Sequence, residues 1–383
     1  MNKAVIVMAK RTPIGKIGGI LKDVYPEELA AVVMRQIFKE TKLDPQMIDE
    51  VILGNAVGPG GNIARLSALQ AGIPVSVPGV SVDRQCGSGL EAIIQAARLI
   101  QAGAGEVYLA GGVESTSLAP WKLEKPADIT GFPTVLKRAR FSTNQIGDPD
   151  MGVAAETVAK SCQISRKEQD QFAYHSHKKA VRSQKEGSFH TEIVAVNGLM
   201  KDECPRANTS LEKLGQLSPA FVENGTVTAG NACPINDGAA IALLMSEQKS
   251  DELGLTPVLE FVDAASAGVN PNVLGLGPIP AIRKLLKRQA LSIENIDLVE
   301  FNEAFASQVL ACLKELNINE KVVNIGGGAL ALGHPYGASG AILVTRLATE
   351  LRKQNGELGL ATLGIGGGLG LAALFRQWRR SYE

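Results

Sequence analysis

The chain has 383 residues, and its 39 Lys and Arg balance its 39 Asp and Glu, so the formal net charge at pH 7 is zero. A zero balance disfavours a protein built to coat nucleic acid or an anionic membrane surface. With 45% hydrophobic and 20% charged residues, the composition excludes general disorder and allows a sizeable core.

Strands and helices are predicted to alternate along the chain. The apolar run 4–9 is typical of a first strand and is too short for the hydrophobic region of an export signal. Further strands are predicted at 51–57, 78–83, 105–113, 258–269, 296–302 and 359–366, and helices at 27–41, 89–102, 153–162, 166–186, 280–289, 304–316 and 339–354. This alternation predicts a layered α/β architecture.

The chain contains an internal repeat. Residues 43–57 resemble 291–305, residues 82–92 resemble 333–341, and residues 105–112 resemble 356–363, in the same order at an offset of about 250 residues. The pattern predicts two copies of one α/β unit, at 1–120 and 250–383. Residues 121–245 have no counterpart, and their polar, turn-rich beginning predicts an inserted loop domain whose end returns to the first half.

The cysteine spacing and the hydropathy narrow the class of protein further. Five cysteines lie far apart without a Cys-x-x-Cys pair, which disfavours a disulfide scaffold and a structural zinc site, so we expect no metal. No apolar run approaches the roughly 18 residues of a membrane span. We therefore expect a cytoplasmic protein with no membrane or nucleic-acid partner.

Cys86 is the most informative single residue. It follows a predicted strand and precedes Gly87-Ser88-Gly89, which begin a predicted helix. At the positive end of a helix dipole we expect the pKa of the thiol to be lowered, and free N–H groups of the turn could line an oxyanion hole. The turn suggests a nucleophile, although a buried structural cysteine has the same local signature.

A similar turn in the second copy contains His334, in Gly-His-Pro-Tyr-Gly-Ala-Ser-Gly. A histidine and a cysteine that each precede a helix can meet across a pseudo-twofold axis and form a Cys/His pair. Asn302 ends a strand of the same copy, where it can bind an oxyanion or hold a water. Taken alone, each of the two residues also fits an ordinary cap or core position.

Together these motifs resemble the thiolase family of acetyl-CoA acetyltransferases and 3-ketoacyl-CoA thiolases. The resemblance is carried by DRQCGSGLEA at Cys86, NEAFA at Asn302, ALGHPYGASGA at His334 and the C-terminal LGIGGGLG, with GGVES (111–115), GTVTAGNACPINDGAA (225–240) and LGLGPIPA (274–281) in support. It implies the thiolase fold, which has two duplicated βαβαβαββ halves in five layers (α-β-α-β-α) plus an inserted loop domain. It also implies a homodimer or homotetramer.

The resemblance further implies an acyltransferase of fatty acid metabolism that uses coenzyme A and acyl-CoA as substrates, without a covalently bound cofactor. In this family's chemistry Cys86 becomes acylated, His334 activates it, and Asn302 positions a water. The N–H groups of Cys86 and Gly366 would hold an oxyanion. The pantetheine of CoA would run along the loop domain and the 229–236 turn. The implied substrate and CoA contacts are Arg206, Cys233, Ala229, Phe305 and Leu274. The basic residues Lys137, Arg138 and Arg140 could also meet the phosphates of CoA, but they are interpreted as a solvated loop.

The sequence departs from the thiolase pattern at the position of Gly364. Thiolases usually carry a second cysteine there, which moves a proton at the α-carbon of the substrate, and glycine cannot titrate. General acid–base catalysis is worth about 10²–10⁴-fold, so carbon–carbon chemistry should be slow unless another group compensates. Acylation of Cys86 needs no such group, and one hypothesis is that only this half-reaction survives. A second hypothesis is that Cys233, which stands where a serine is usual, supplies the missing thiol.

Smaller departures and other interpretations remain. Asp83 and Gly326 stand where the family usually has asparagine.

An accessory thiolase-fold protein that binds CoA or a partner would explain Gly364, but not the joint retention of Cys86, His334 and Asn302. A dinucleotide-binding oxidoreductase fits G-x-G-x-x-A at 87–92, yet the acidic residue expected after the next strand is missing. A decarboxylating ketosynthase would generally have a histidine in place of Asn302.

Overall fold

The computed structural model describes residues 2–128 and 130–379. Its strands are β1 (Ala4–Arg11), β2 (Gly15–Lys16), β3 (Glu50–Gly54), β4 (Gly79–Val82), β5 (Val107–Ser115), β6 (Lys122–Glu124), β7 (Thr134–Leu136), β8 (Asn236–Ser246), β9 (Leu259–Gly268), β10 (Leu298–Phe301), β11 (Leu358–Ile365) and β12 (Leu369–Gln377). Its helices are α1 (Pro26–Thr41), α2 (Ile63–Gln70), α3 (Ser88–Ala102), α4 (Met151–Ser161), α5 (Arg166–Lys185), α6 (Leu211–Gly215), α7 (Glu247–Glu252), α8 (Pro278–Arg288), α9 (Ala306–Leu316), α10 (Ala329–Leu332) and α11 (Tyr336–Gln354). Every predicted helix is present, with its ends within about three residues of the prediction.

Ten of the strands form one mixed sheet. Its spatial order is β10-β11-β12-β9-β1-β8-β5-β3-β4, with β2 paired to β8. The two halves join at a short seam, where Val5 and Ile6 of β1 pair antiparallel with Glu260 and Leu259 of β9. Outward from this seam the order β1-β8-β5-β3 on one side matches β9-β12-β11-β10 on the other. The sheet therefore has the pseudo-twofold symmetry that the sequence repeat predicted.

Helices cover the sheet in three layers. The central apolar cluster contains the buried faces of α3 and α11, while α1 with α2, and α8 with α9, belong to two further clusters on the outer faces of the two halves. Residues 337–347 of α11 are buried in an unbroken run, as expected for a helix between two halves of a sheet. The predicted five-layer α/β arrangement is confirmed. Among the described helices, α11 included, none is both long and apolar enough to cross a bilayer.

The repeat is also visible in matched hydrogen bonds. Asp49 Oδ2 accepts the N–H groups of Glu106 and Val107 at 2.6 and 2.8 Å, and so caps the start of β5. Asp297 Oδ2 accepts the N–H groups of Glu357 and Leu358 at 2.7 and 2.9 Å, at the start of β11. An aspartate at the equivalent position therefore caps the equivalent strand in each half.

The halves differ in what connects their last two strands. In the second half, a three-residue turn at 366–368 joins β11 to β12, whereas in the first half residues 116–235 separate β5 from β8. Sequence patterns did not predict β8 or β12. Both strands are buried on both faces and are rich in Ala and Leu, so they lack the alternation that distinguishes a strand from a buried helix.

Glycines let α3 and α11 cross in direct contact near their first turns. A Cβ on Gly89 would lie 2.6 Å from the Gly337 carbonyl oxygen and 3.1 Å from the Ala341 nitrogen, both of which are backbone atoms. A Cβ on Gly340 would clash with the backbone of Leu90 in the same way. Because the two helices touch at their N-terminal ends, the turns that precede them, one with Cys86 and one with His334, are brought to the same region.

Candidate active site

Cys86 lies in a tight turn between β4 and α3. Asp83 Oδ1 accepts the Gln85 N–H at 2.7 Å in an Asx turn, which Asp forms as readily as Asn. Gln85 has a φ of 50°, a left-handed conformation that few non-glycine residues adopt. Ser88 Oγ stabilises this conformation by accepting from the Arg84 N–H at 2.8 Å and donating to the Gln85 carbonyl at 2.6 Å. Such strain is typical of functional turns, and here it holds Cys86 half-buried against the central core.

The acidity of Cys86 differs from the expectation based on the helix dipole. Burial raises the pKa of the Cys86 thiol to about 12, and the negative charges of Glu114 and Asp83 act in the same direction. The backbone N–H groups of Gly366 and of Cys86 itself lie within hydrogen-bonding range of the sulfur and oppose the rise in pKa. The expectation of a lowered pKa is therefore wrong, because the loss of hydration outweighs the backbone dipoles. A protonated thiol at neutral pH needs a base before it can attack.

His334 is buried in a fixed orientation. The His334 N–H donates to Asn236 Oδ1 at 2.8 Å. Ser339 Oγ donates its only hydrogen to the Pro335 carbonyl at 3.0 Å. Toward His334 Nδ1, 2.6 Å away, the Ser339 oxygen can therefore only accept, so Nδ1 carries the hydrogen. The proton on Nδ1 leaves Nε2 with the lone pair, and Asn302 Nδ2 lies 3.3 Å from it. This arrangement fixes the imidazole as a base whose free nitrogen faces Asn302.

Burial also keeps His334 neutral. It lowers the pKa of the imidazole to about 4, so the ring is unprotonated at neutral pH and can accept a proton from a thiol. The edge-to-face neighbour of the ring is Tyr336, with ring centroids 5.1 Å apart at an interplanar angle of 87°. Tyr336 lines the same cavity as Cys86 and Gly366, so the histidine lies directly behind the wall of that cavity.

Gly364 is buried in β11, and the amide of Gln308 occupies the space beside it. A Cβ on Gly364 would lie 2.8 Å from Gln308 Nε2, and 3.5 Å from each of the Gly275 and Leu274 carbonyl oxygens. Gln308 Nε2 is buried and has no hydrogen-bond partner within residues 2–128 and 130–379. The position at which the resemblance implied a second thiol therefore faces an amide, which cannot act as an acid or base near neutral pH.

A cavity of about 440 Å³ opens onto Cys86. Near the thiol it is lined by Cys86, Tyr336, Gly366 and Ile235, and Lys122, Lys137 and Arg138 of the inserted segment form another part of its wall. Arg138 is held by Asp148 and Asp150, with nitrogen–oxygen distances of 3.0 and 2.8 Å. Lys137 is exposed and Arg138 is half-buried, so the interpretation of the basic cluster as a solvated loop stays a prediction for these two residues, which also line the cavity.

The five residues that the resemblance implied as substrate and CoA contacts lie in different environments. None of the five is among the residues that line this cavity. Arg206 is exposed and its N–H donates to His177 Nδ1 at 3.2 Å, Ala229 is exposed, and Leu274 is buried next to Gly364. Phe305 packs edge-on against Phe221 at 6.0 Å, at the start of α9. Cys233 is half-buried and lies two residues before Ile235, which lines the cavity. These five contacts remain predictions.

Several structurally important residues were missed by the sequence analysis. Glu114, in GGVES, accepts from the N–H groups of Gly337, Ala56 and Val57 at 2.9, 3.0 and 3.2 Å, and so ties α11 to the loop after β3. Burial raises its pKa to about 7. Ser339, Gln308, Asn236 and Tyr336 were also missed. The only signal was a polar residue inside an otherwise apolar motif, and such a residue signals a buried hydrogen bond as often as it signals chemistry.

The site therefore has the parts of an acyl-transfer centre. A thiol, a neutral imidazole with a defined lone pair, and backbone N–H groups at the sulfur are gathered where the two halves of a duplicated α/β fold meet. Such a set can form a thioester and stabilise the negative charge on its oxygen. The class of protein that this fold and site define is an α/β acyltransferase.

Comparison with known proteins gives the family. The thiolase N-terminal domain model matches residues 4–248, and the thiolase C-terminal domain model matches residues 255–377. The chain therefore belongs to the thiolase family, and it is an acyltransferase of the acetyl-CoA C-acetyltransferase type.

Individual relatives cover almost the full chain. A Staphylococcus aureus protein named "Putative acetyl-CoA C-acetyltransferase VraB" is 50% identical over 99% of this chain and 100% of its own length. The crystal structure of the Bacillus anthracis acetyl-CoA acetyltransferase matches with a TM-score of 0.94 at 41% identity, over 99% of both chains. Human mitochondrial 3-ketoacyl-CoA thiolase in complex with CoA matches with a TM-score of 0.94 at 34% identity, over 99% of this chain and 98% of that one.

Proposed function

We propose that this protein is an acyl-CoA C-acyltransferase that works through an acyl-Cys86 intermediate. The observation that carries the proposal is the state of His334, which is neutral, buried and oriented with an unprotonated Nε2. The relatives named for acetyl-CoA acetyltransferase and 3-ketoacyl-CoA thiolase activity support the same reaction class.

In the first half-reaction His334 takes the proton of Cys86, and the sulfur attacks the thioester carbonyl of an acyl-CoA. The carbonyl oxygen becomes negative in the tetrahedral intermediate, where Nε2–H of the protonated His334 and the amide of Asn302 can stabilise it. Collapse expels the CoA thiolate, which takes the proton back from His334. In the acyl-enzyme, the N–H groups of Cys86 and Gly366 lie at the sulfur and can bind the thioester oxygen.

The second half-reaction makes or breaks a carbon–carbon bond and requires proton movement at an α-carbon. Position 364 offers no group for this step, and Gln308 occupies the adjacent space. We infer that acylation is complete in this protein, while carbon–carbon chemistry depends on a group elsewhere or is slow. An accessory role that uses only CoA binding is the second candidate function, and the glycine at 364 is the observation that favours it.

The experiment is CoA-dependent cleavage of acetoacetyl-CoA, followed by the loss of the 3-ketoacyl-CoA, together with intact-mass analysis after incubation with acetyl-CoA. We expect a mass gain of one acetyl group in the parent, none in Cys86→Ala, and a normal gain in the control Cys162→Ser. A parent that never becomes acylated would overturn the proposal and favour the accessory role.

The gap at position 364 can be filled by mutation. Gly364→Cys alone brings the new side chain against Gln308, so Gly364→Cys with Gln308→Ala is the better variant. If α-proton transfer limits cleavage, we expect the double variant to cleave acetoacetyl-CoA faster than Gln308→Ala alone. Equal rates would show that proton transfer at this position does not limit the reaction.

The edge of the sheet suggests that the protein forms a homodimer. β4 is an edge strand, and exposed apolar side chains lie on it and near it, including Val75 and Val80 with 79% and 38% of their surface exposed. Pairing of β4 with a second copy would cover this edge. Light scattering should give a dimer or a larger closed assembly for the parent and the control Leu211→Lys, and a smaller species for Val80→Lys. A monomeric parent would contradict this assignment.

A further inference from the structure

Cys233 lies in a short segment that connects the two catalytic motifs. The Cys233 N–H donates to the Ala304 carbonyl at 3.0 Å. Ala232 pairs with Phe305 in the motif of Asn302, and Ile235 pairs with His334. Cys233 is therefore held by backbone contacts between these two motifs, and Pro234 further restricts the chain at this point.

The segment of Cys233 also borders the cavity onto which Cys86 opens. Ile235, two residues after Cys233, lines that cavity together with Cys86 and Tyr336. Burial raises the pKa of Cys233 to about 12, and the charge of Cys86 acts in the same direction. Both thiols also raise the pKa of the Tyr336 phenol. Cys233 is therefore placed beside the wall of the cavity in which an acyl group on Cys86 would lie.

No other titratable group replaces the usual acid/base at its own position. Gly364 has no side chain, and the space in front of it contains the Gln308 amide. Tyr336 is another candidate beside Cys86, because its phenol is a proton donor that lines the cavity. Burial raises the pKa of both side chains, and a thiol is intrinsically a stronger acid than a phenol, so Cys233 is the better proton donor.

We propose that Cys233 carries the proton to and from the α-carbon of the substrate in the carbon–carbon half-reaction, replacing the group that is absent at position 364. This proposal rests on the proposed acyltransferase function. In cleavage, Cys86 attacks the 3-oxo carbon after His334 takes its proton, and the bond between C2 and C3 breaks with its electron pair remaining on C2. The Cys233 thiol then donates its proton to C2, which releases acetyl-CoA.

The remaining protons also balance. The incoming CoA thiol gives its proton to the Cys233 thiolate, and the CoA sulfur attacks the acyl group on Cys86. The Cys86 thiolate that leaves takes back the proton held by His334. The net reaction converts one 3-ketoacyl-CoA and one CoA into two acyl-CoA molecules and needs no other reactant. Because burial keeps Cys233 protonated at neutral pH, the resting enzyme is prepared for cleavage.

The test separates acylation from α-proton transfer in the same variant. Cys233→Ser keeps the size and hydrogen bonding of the side chain but replaces the thiol by a much weaker acid. We expect Cys86 to be acylated by acetyl-CoA as in the parent, which also shows that the variant is folded. We expect the exchange of the acetyl-CoA methyl protons with D2O, and the cleavage of acetoacetyl-CoA, to fall by about 10²-fold or more.

Control variants make the result specific. Cys162→Ser, at a cysteine outside this cavity, should behave as the parent in all three assays. Equal exchange and cleavage rates for Cys233→Ser and the parent would overturn the proposal, and loss of exchange in Tyr336→Phe alone would assign the proton to the phenol instead. Failure of the parent to acylate Cys86 is a different outcome, which would overturn the proposed function itself.

Discussion

The two halves of the molecule place different side chains in the turns before equivalent helices. In the first half the turn before α3 contains Cys86, which is half-buried at a cavity, and the preceding Gln85 has a φ of 50°. In the second half the turn before α11 contains His334, which is fully buried, and the preceding Gly333 has a φ of 116°, which glycine adopts freely. The aspartates Asp49 and Asp297 cap equivalent strands in the two halves. The scaffold is therefore shared, while the residue before the helix differs.

The largest effect is expected when the proposed base, His334 of the second half, is removed. His334→Ala should lower the rate of Cys86 acylation by about 10²–10⁴-fold, because the buried thiol then has no neutral acceptor for its proton. The measurement is the time course of acyl-enzyme formation by intact mass. An unchanged rate would mean that the halves do not cooperate in this step.

A second test separates the halves where their helices touch. The Cβ of Gly89→Ala would lie 2.6 Å from a backbone oxygen of α11, which cannot move away alone, so we expect a loss of about 1–3 kcal/mol in the free energy of unfolding. Gly215→Ala is the matched control. No atom lies within 4 Å of its new Cβ, and it should be neutral or slightly stabilising. Equal stability of the two variants, measured by urea unfolding, would show that the contact between α3 and α11 tolerates the added methyl group.

A smaller effect is expected at the partner of the imidazole. Ser339→Ala removes the acceptor for Nδ1–H, so the ring loses its fixed tautomer, and acylation should slow by about tenfold. Thr345→Val, one to two turns further along α11, is the control and should leave acylation unchanged. A loss of the same size in Thr345→Val would indicate a general effect on the helix rather than on His334.

The smallest expected effect is that of pH on acylation. Burial lowers the pKa of His334 to about 4 and raises that of Cys86 to about 12, so both groups are neutral throughout the intervening range. The acylation rate constant should therefore be flat between about pH 5 and pH 9, and should fall below about pH 4 as the base becomes protonated. A bell-shaped profile centred near neutral pH would instead indicate a thiolate–imidazolium pair.

The fold was largely predictable because the repeat and the helix pattern are local signals. Residues 43–57 and 291–305 look alike because both carry the capping Asp and the strand that follows it. The strands β8 and β12 were not predictable, since burial on both faces removes their alternation. The helix bounds were accurate because their apolar spacing and end residues act over only a few turns.

The physical state of the candidate site could not be predicted from the motifs. They pointed to Cys86, His334 and Asn302, whose catalytic roles stay predictions, and the structure places Asn302 in contact with His334. The direction of the Cys86 pKa was wrong, because hydration depends on what covers a residue and not on the residues beside it in sequence. The contact of Gln308 with the space at Gly364 could not be predicted either. It requires that Gly275 and Gly364 both lack a side chain, and these glycines are about 90 residues apart in the sequence.

The inserted segment breaks the near symmetry of the two halves. Phe141, which belongs to the insertion of the first half, packs over the Gly366 turn of the second half, where an added Cβ would lie 3.3 Å from its ring. That turn, at residues 366–368, is the whole connection between β11 and β12, so the second half has no insertion that matches the one in the first half. The insertion of the first half therefore reaches across to the second half, and it covers a turn there that has no covered counterpart in the first half.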